Sequence, residues 1–97
     1  MLALKLSTKT FMYEEVKHLS TFVMLYDGET CINAFHVPRY AVSEDDLFEV
    51  AMNAVDIAGS IQSLLEKVGK PTELDEDLKM PTACATEIGR ASGRERV

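Results

Sequence analysis

One long apolar stripe, marked at both ends by stop and start signals, constrains this chain more than any other feature. Ser43 precedes Glu44, Asp45 and Asp46, an N-cap followed by an acidic first turn that complements the helix dipole. Leu47, Ala51, Ala54, Ala58, Ile61, Leu65 and Val68 then recur in alternating steps of four and three, the spacing of one helix face. Val50, Ile57 and Leu64 widen that face. Gly69 offers the left-handed residue that ends a helix, and Pro71 stops it. The spacing predicts a helix over 44–68. At about 1.5 Å per residue it is roughly 38 Å long, whereas a compact domain of this chain length is about 30 Å across. The helix is therefore expected to run past its own domain. Its alanines, with Gly59 beside them, admit a close neighbour: either the domain's own sheet or the helix of a second copy.

Ahead of the helix, residues 20–26 and 29–37 flank Asp27-Gly28, the dipeptide favoured in a two-residue hairpin turn. That turn predicts Leu25 opposite Thr30, Val23 opposite Ile32, Met24 opposite Cys31 and Phe22 opposite Asn33. Both faces of such a hairpin are substantially apolar, while an antiparallel sheet covered on one side alternates apolar with polar. One helix covers one face, so the second face needs another cover. Leu2, Leu4 and Leu6 alternate with Ala3, Lys5 and Ser7 and read as a strand. Over 10–19, Met12, Val16 and Leu19 fit a helical stripe, and a short helix is expected. Thr72 is read as the cap of a second short helix, 73–80, ended by Pro81. The expected fold is α+β: a small antiparallel sheet (hairpin 20–37 plus an N-terminal strand) packed by one long helix 44–68 and a short helix 73–80, in the order β-α-β-β-α-α. A domain this small buries too little surface to be comfortable alone, so self-association into a homo-oligomer is expected.

The end of the chain differs from the rest. Residues 87–97, EIGRASGRERV, hold three of the four arginines. This stretch resembles the translation of a common short-read sequencing adapter, whose frame encodes cysteine where Gly93 stands and reaches a stop codon after Val97. The resemblance implies a single native domain over 1–86, a non-native tail over 87–97 and a native protein that continues past Thr86. It also implies a metagenomic or transcriptomic source, in which short viral reading frames abound, and so a viral protein is the expectation. Without the tail, seven basic residues face fourteen acidic ones, a formal charge of −7 against −6 for the whole chain.

That acidity argues against direct nucleic-acid binding, which calls for a basic face. No run approaches the 18 to 20 apolar residues of a membrane span, and Lys5 interrupts the start MLALKLS before it can serve as a signal peptide. Two cysteines without CxxC spacing fit a reduced, cytoplasmic setting. Glu44, Asp45 and Asp46 lack the alternation and central glycine of a calcium loop, and they pre-empt an anion at the helix start. No zinc spacing, glycine-rich phosphate loop or GxSxG turn is present, so neither metal, cofactor nor catalytic residue is expected. The segment most suited to recognition is His36-Val37-Pro38-Arg39-Tyr40, with a planar cationic fork and a stacking ring. The plainer reading pairs Arg39 with the acidic helix start. His36, Arg39 and Tyr40, together with Phe22, Met24, Tyr26 and Phe35 of the second sheet face, form the candidate site for a small anionic or aromatic ligand. The function expected is a non-enzymatic binding protein that sequesters a small molecule such as a signalling nucleotide. The alternative is an acidic protein–protein inhibitor or adaptor that docks on a basic partner.

Overall fold

In a computed structural model, residues 1–79 are described. They form β1 (Leu2–Tyr13), β2 (Val16–Asp27), β3 (Thr30–His36), α1 (Glu44–Lys67), β4 (Thr72–Leu74) and α2 (Glu76–Lys79). The fold is α+β: a mostly antiparallel four-stranded sheet in the order β3-β2-β1-β4, one long helix and one short helix. The expected tail, the last residue of the expected second helix and Cys84 lie outside the described residues.

The largest correction falls on 10–19, which is strand and not helix. β1 and β2 pair in register from Leu2↔Asp27 to Tyr13↔Val16. Glu14 and Glu15 make the turn between them, at φ of 52° and 66°. Two consecutive left-handed residues are the mark of a type I′ hairpin turn, which matches the right-handed twist of its strands. Glutamate is a poor residue for that region, so the sequence carries no turn signal there; twelve ladder pairs override the local preference.

The second hairpin keeps its position but not its expected register. Asp27 pairs with Thr30 and Tyr26 with Cys31, and a bulge then shifts the ladder so that Leu25 meets Asn33, Met24 meets Ala34, Val23 meets Phe35 and Phe22 meets His36. The turn therefore centres on Gly28-Glu29, with Gly28 at φ 66°, and the bulge absorbs Ile32. The shift moves Phe35 to the side of Val23, where it packs against the core.

The long helix forms as expected. Ser43 Oγ accepts from the Asp46 amide at 3.3 Å, and Asp46 Oδ2 accepts from the Ser43 amide at 3.1 Å. This reciprocal pair is a capping box closed by aspartate. At the far end Lys70 N donates to Leu65 O and Gly69 N to Glu66 O, with Gly69 at φ 79°, the bonding of a Schellman ending. Ala54 and Ala58 are fully buried in one cluster with Leu4, Val23, Val37, Val50 and Leu78. The alanine stripe thus brings α1 down on its own sheet. Val68, on the same stripe, is the C-cap residue and is 66% exposed, while Leu65 in the last turn still packs against the core.

Thr72 begins a strand instead of capping a helix, and the element order is β-β-β-α-β-α. β4 lies parallel to β1, Leu2↔Thr72 through Leu4↔Leu74. β3 also runs parallel to β1, being antiparallel to its antiparallel neighbour, so α1 is the crossover that carries the chain from one sheet edge to the other. Gln62 Nε2 fastens the crossover by donating to Thr72 O at 2.8 Å, and Asp75 N donates to Leu4 O at 2.9 Å. Both helices pack on one face of the sheet, where Leu78 of α2 joins Val50, Ala54 and Ala58 of α1 over Leu4 and Val23. No helix among the described residues is long and apolar enough to cross a membrane.

Replacing the Glu14-Glu15 turn by Asn-Gly relieves two left-handed side chains and should stabilise the fold by about 1 kcal/mol. The urea midpoint should rise with the slope of the transition unchanged; an unchanged or lower midpoint contradicts the turn assignment.

Candidate functional site

The pleat sends alternate residues of each strand to opposite sides. On the side away from α1, β1 presents Ala3, Lys5, Ser7, Lys9, Phe11 and Tyr13. β2 presents Val16, His18, Ser20, Phe22, Met24 and Tyr26, and β3 presents Cys31, Ala34 and His36. No element among the described residues packs over this face.

Rings gather at its distal end. Phe11 and His18 are direct cross-strand partners, and their rings stack at 5.3 Å and 22°. Tyr13 meets His18 edge-on at 5.8 Å. Phe22 and His36, also direct partners, meet at 5.2 Å. Tyr40 joins the two groups, 5.2 Å from Phe11 in an edge contact and 5.3 Å from His36. Edge-to-face contacts of this kind set the positive rim of one ring against the negative face of the next. The result is one unbroken chain of rings: Tyr13, His18, Phe11, Tyr40, His36, Phe22. Four of them, Phe11, Tyr13, His18 and Tyr40, line an open cleft of about 340 Å³, at the small end of ligand pockets. His18 Nδ1 stands 2.8 Å from Val16 O; a carbonyl only accepts, so Nδ1 carries the proton and Nε2 is left for other partners.

The β1–β2 hairpin extends past the start of α1, so beyond that level no helix among the described residues lies on its other face either. Ser43 and Leu47, at the start of α1, line one hollow with Thr10 and Leu19. The pairs from Phe11↔His18 to Tyr13↔Val16 extend beyond that level. Tyr40 is delivered by a short return of the chain: Leu19 and Ala41 exchange backbone hydrogen bonds of 2.9 and 3.0 Å. Ala41 is buried on the helix side, so its neighbour Tyr40 faces the rings.

Arg39 holds that return in place. It adopts φ 84°, which turns the loop back, and its guanidinium donates to Asp46 Oδ1 at 2.8 Å and to Glu49 Oε1. The plainer of the two sequence readings of Arg39 is the one observed. Asp46 also accepts from the Val42 amide at 3.0 Å. The Val42 and Ser43 amides, followed by Arg39, hold the Asp46 carboxyl well below the usual carboxylate range. Asp46 and Glu49 in turn raise the pKa of Arg39.

Of the residues singled out from sequence, the structure brings Phe22, His36 and Tyr40 together. Met24 lies on the same face, opposite Ala34, and Tyr26 lies farther along with the Lys5 ammonium 5.1 Å from its ring centre. Phe35 is on the helix side, and Arg39 is committed to α1. Phe11, Tyr13 and His18 were missed because 10–19 reads as a helix; their period-two spacing across Lys9–Tyr13 and Val16–His18 was the available signal.

Charge is segregated as well. The carboxylates among the described residues stand in turns, at the end of β2, on the helices or in the stretch from β4 into α2; the one on the open face is Glu73, beside Ala3 at the end away from the rings. The acidic groups at 44–49 and 73–77 do not form one surface. β4 is fastened at Gln62, eighteen residues along the helix from Glu44, or about 27 Å at helical rise. Among the described residues no three His, Cys, Asp or Glu side chains gather as a metal cage.

Because the folded pKa of Asp46 lies below its ordinary 3.8, its contribution to stability is full above that value and is lost as pH falls towards the folded one. Asp46→Asn should lower the urea midpoint at pH 7, and the gap from the parent should narrow below pH 4. A gap that is constant with pH would mean that the ionised carboxylate contributes nothing.

Comparison of the chain with protein-family models, with curated proteins and with solved structures finds no match.

Proposed function

We propose that this chain is a small non-enzymatic binding protein that captures a small aromatic ligand on the open face of its sheet. The observation that carries this reading is the uncovered chain of rings ending in the cleft between Phe11, Tyr13, His18 and Tyr40. Aromatic side chains this exposed on a rigid sheet offer a stacking platform at little entropic cost, since the ladder and the Arg39 clasp already fix their positions. The reading is non-enzymatic because the histidines stand among rings: among the described residues neither is hydrogen-bonded or ion-paired to a carboxylate. The exposed thiol of Cys31 suits a reducing, cytoplasmic setting. Self-association belongs to the same proposal. The distal arm leaves Met12 65% exposed on the side opposite the rings, an apolar position that a second copy would cover. An acidic inhibitor docking on a basic partner draws less support, because the two carboxylate groups stand apart.

The chain has three tyrosines and no tryptophan, and Tyr13, Tyr26 and Tyr40 all lie on the open face. Tyrosine fluorescence therefore reports on this surface alone. Titration with nucleosides and other planar aromatics, followed by calorimetry and tyrosine emission, should give saturable binding that Phe11→Ala weakens about tenfold or more. No heat and no change in emission with any of them at millimolar concentration would sink the reading. Light scattering should give a mass above that of one chain.

A further inference from the structure

The open face has a direction, set by charge. At the tip of the arm, immediately beyond Tyr13, the turn carries Glu14 and Glu15. On the opposite side of the ring cleft, one same-face step along β1 from Phe11, stands the exposed ammonium of Lys9. Two residues of extended strand span about 7 Å. The next cation on the face, Lys5, is two further steps away, at about 13 Å from Lys9, and is already seated over Tyr26. The cleft thus lies between two carboxylates and one cation, with no acidic side chain on the face between Phe11 and Lys9.

The geometry points to a nucleoside monophosphate as the ligand, bound with its base in the cleft of Phe11, Tyr13, His18 and Tyr40 and its phosphate against Lys9. This assignment rests on the reading of the open face as an aromatic-ligand site and deepens it by naming the ligand class and its orientation. Stacking alone does not distinguish one end of a ligand from the other. The Glu14-Glu15 turn repels a phosphate from the tip side, and Lys9 attracts it on the inner side, so the two ends of the cleft select one direction. The base-to-phosphate span of a mononucleotide suits a separation of one same-face step. A cleft of about 340 Å³ is sized for one base rather than a run of stacked bases, and the next cation is too far for the same phosphate. Single-stranded nucleic acid is therefore the less favoured occupant, in keeping with the acidity of the chain as a whole.

The test compares adenosine, AMP, inorganic phosphate and a ten-nucleotide oligo(dA) by calorimetry on the full chain at low salt. AMP should bind about threefold to tenfold more tightly than adenosine, the scale of one exposed charge pair, and 0.5 M salt should remove the difference. Lys9→Ala should bring AMP down to the affinity of adenosine while leaving adenosine unchanged. Lys5→Ala should leave the ratio as it is. Equal affinities for AMP and adenosine would overturn the phosphate assignment while the aromatic site stands. A Lys9→Ala variant that weakens both alike would also overturn it, since Lys9 would then support the fold or the rings rather than a phosphate. A gain in AMP preference from Glu14→Gln with Glu15→Gln that exceeds the loss from Lys9→Ala would overturn the orientation. Inorganic phosphate that displaces AMP at equal concentration, or oligo(dA) that binds far more tightly per nucleotide, would replace the mononucleotide with another class. Binding of neither adenosine nor AMP would remove the underlying reading itself.

Discussion

The twelve-pair ladder between β1 and β2 is the constraint from which the rest follows. It extends past the start of α1, so the sheet has a buried end and a bare end. It also has a buried side and a bare side, because a single crossover helix lies on only one face. Leu4 and Val23, on the covered side, have no exposed surface, and burial of such side chains contributes about 1.5 to 3 kcal/mol each. The open face gives up that contribution. Its rings are half-buried or exposed, and they stabilise one another through edge contacts that are worth less than full burial.

A bare sheet invites association through its edges as well as its faces, and here some of the edges are blunted. On β3, the Ala34 amide is taken by Asn33 Oδ1 at 2.8 Å, and the bulge between Leu25 and Tyr26 twists the strand. β4 is only three residues long. Glu14 and Glu15 place two carboxylates at the tip of the arm, where another arm would otherwise stack. The face itself has no such protection. Past Leu4, no strand among the described residues lies beside β1 on the β4 side, so the arm leaves both that edge and the aromatic face open.

Legibility in the sequence followed how local each cause was. The helix 44–68 could be read because its causes lie within it: Ser43 and Asp46 at one end, Gly69 at the other, and an apolar stripe between them. The first turn could not, because Glu14-Glu15 is held left-handed by strands on both sides and not by its own preference. The misreading of 10–19 removed Phe11, Tyr13 and His18 from view, and with them the better half of the candidate site. The bulge at Ile32 was equally silent, since nothing in Thr30-Cys31-Ile32-Asn33 signals an extra residue, and it alone decides that Phe35 faces the core while His36 faces the rings. Tyr40 and Arg39 illustrate the same limit over one peptide bond. Adjacent in sequence and both suited to a ligand, they part company because Ala41 pairs with Leu19 and sends Tyr40 one way, while Asp46 and Glu49 draw Arg39 the other.

Net charge was the least informative number of all, for a physical reason. A sum over the chain describes long-range steering and solubility, whereas a ligand on a surface meets only the charges within about a Debye length, some 8 to 10 Å. Within that distance of Phe11 along the open face the strands offer Lys9 and histidines, and the carboxylates begin only past Tyr13. The acidity elsewhere is spoken for by local tasks. Asp46 closes the helix cap and the Arg39 clasp at once, and Glu44 and Asp45 complement the helix dipole. The same carboxylate that starts α1 therefore fixes the loop that presents Tyr40, and the acidic end of the helix becomes part of how the ring cleft is built.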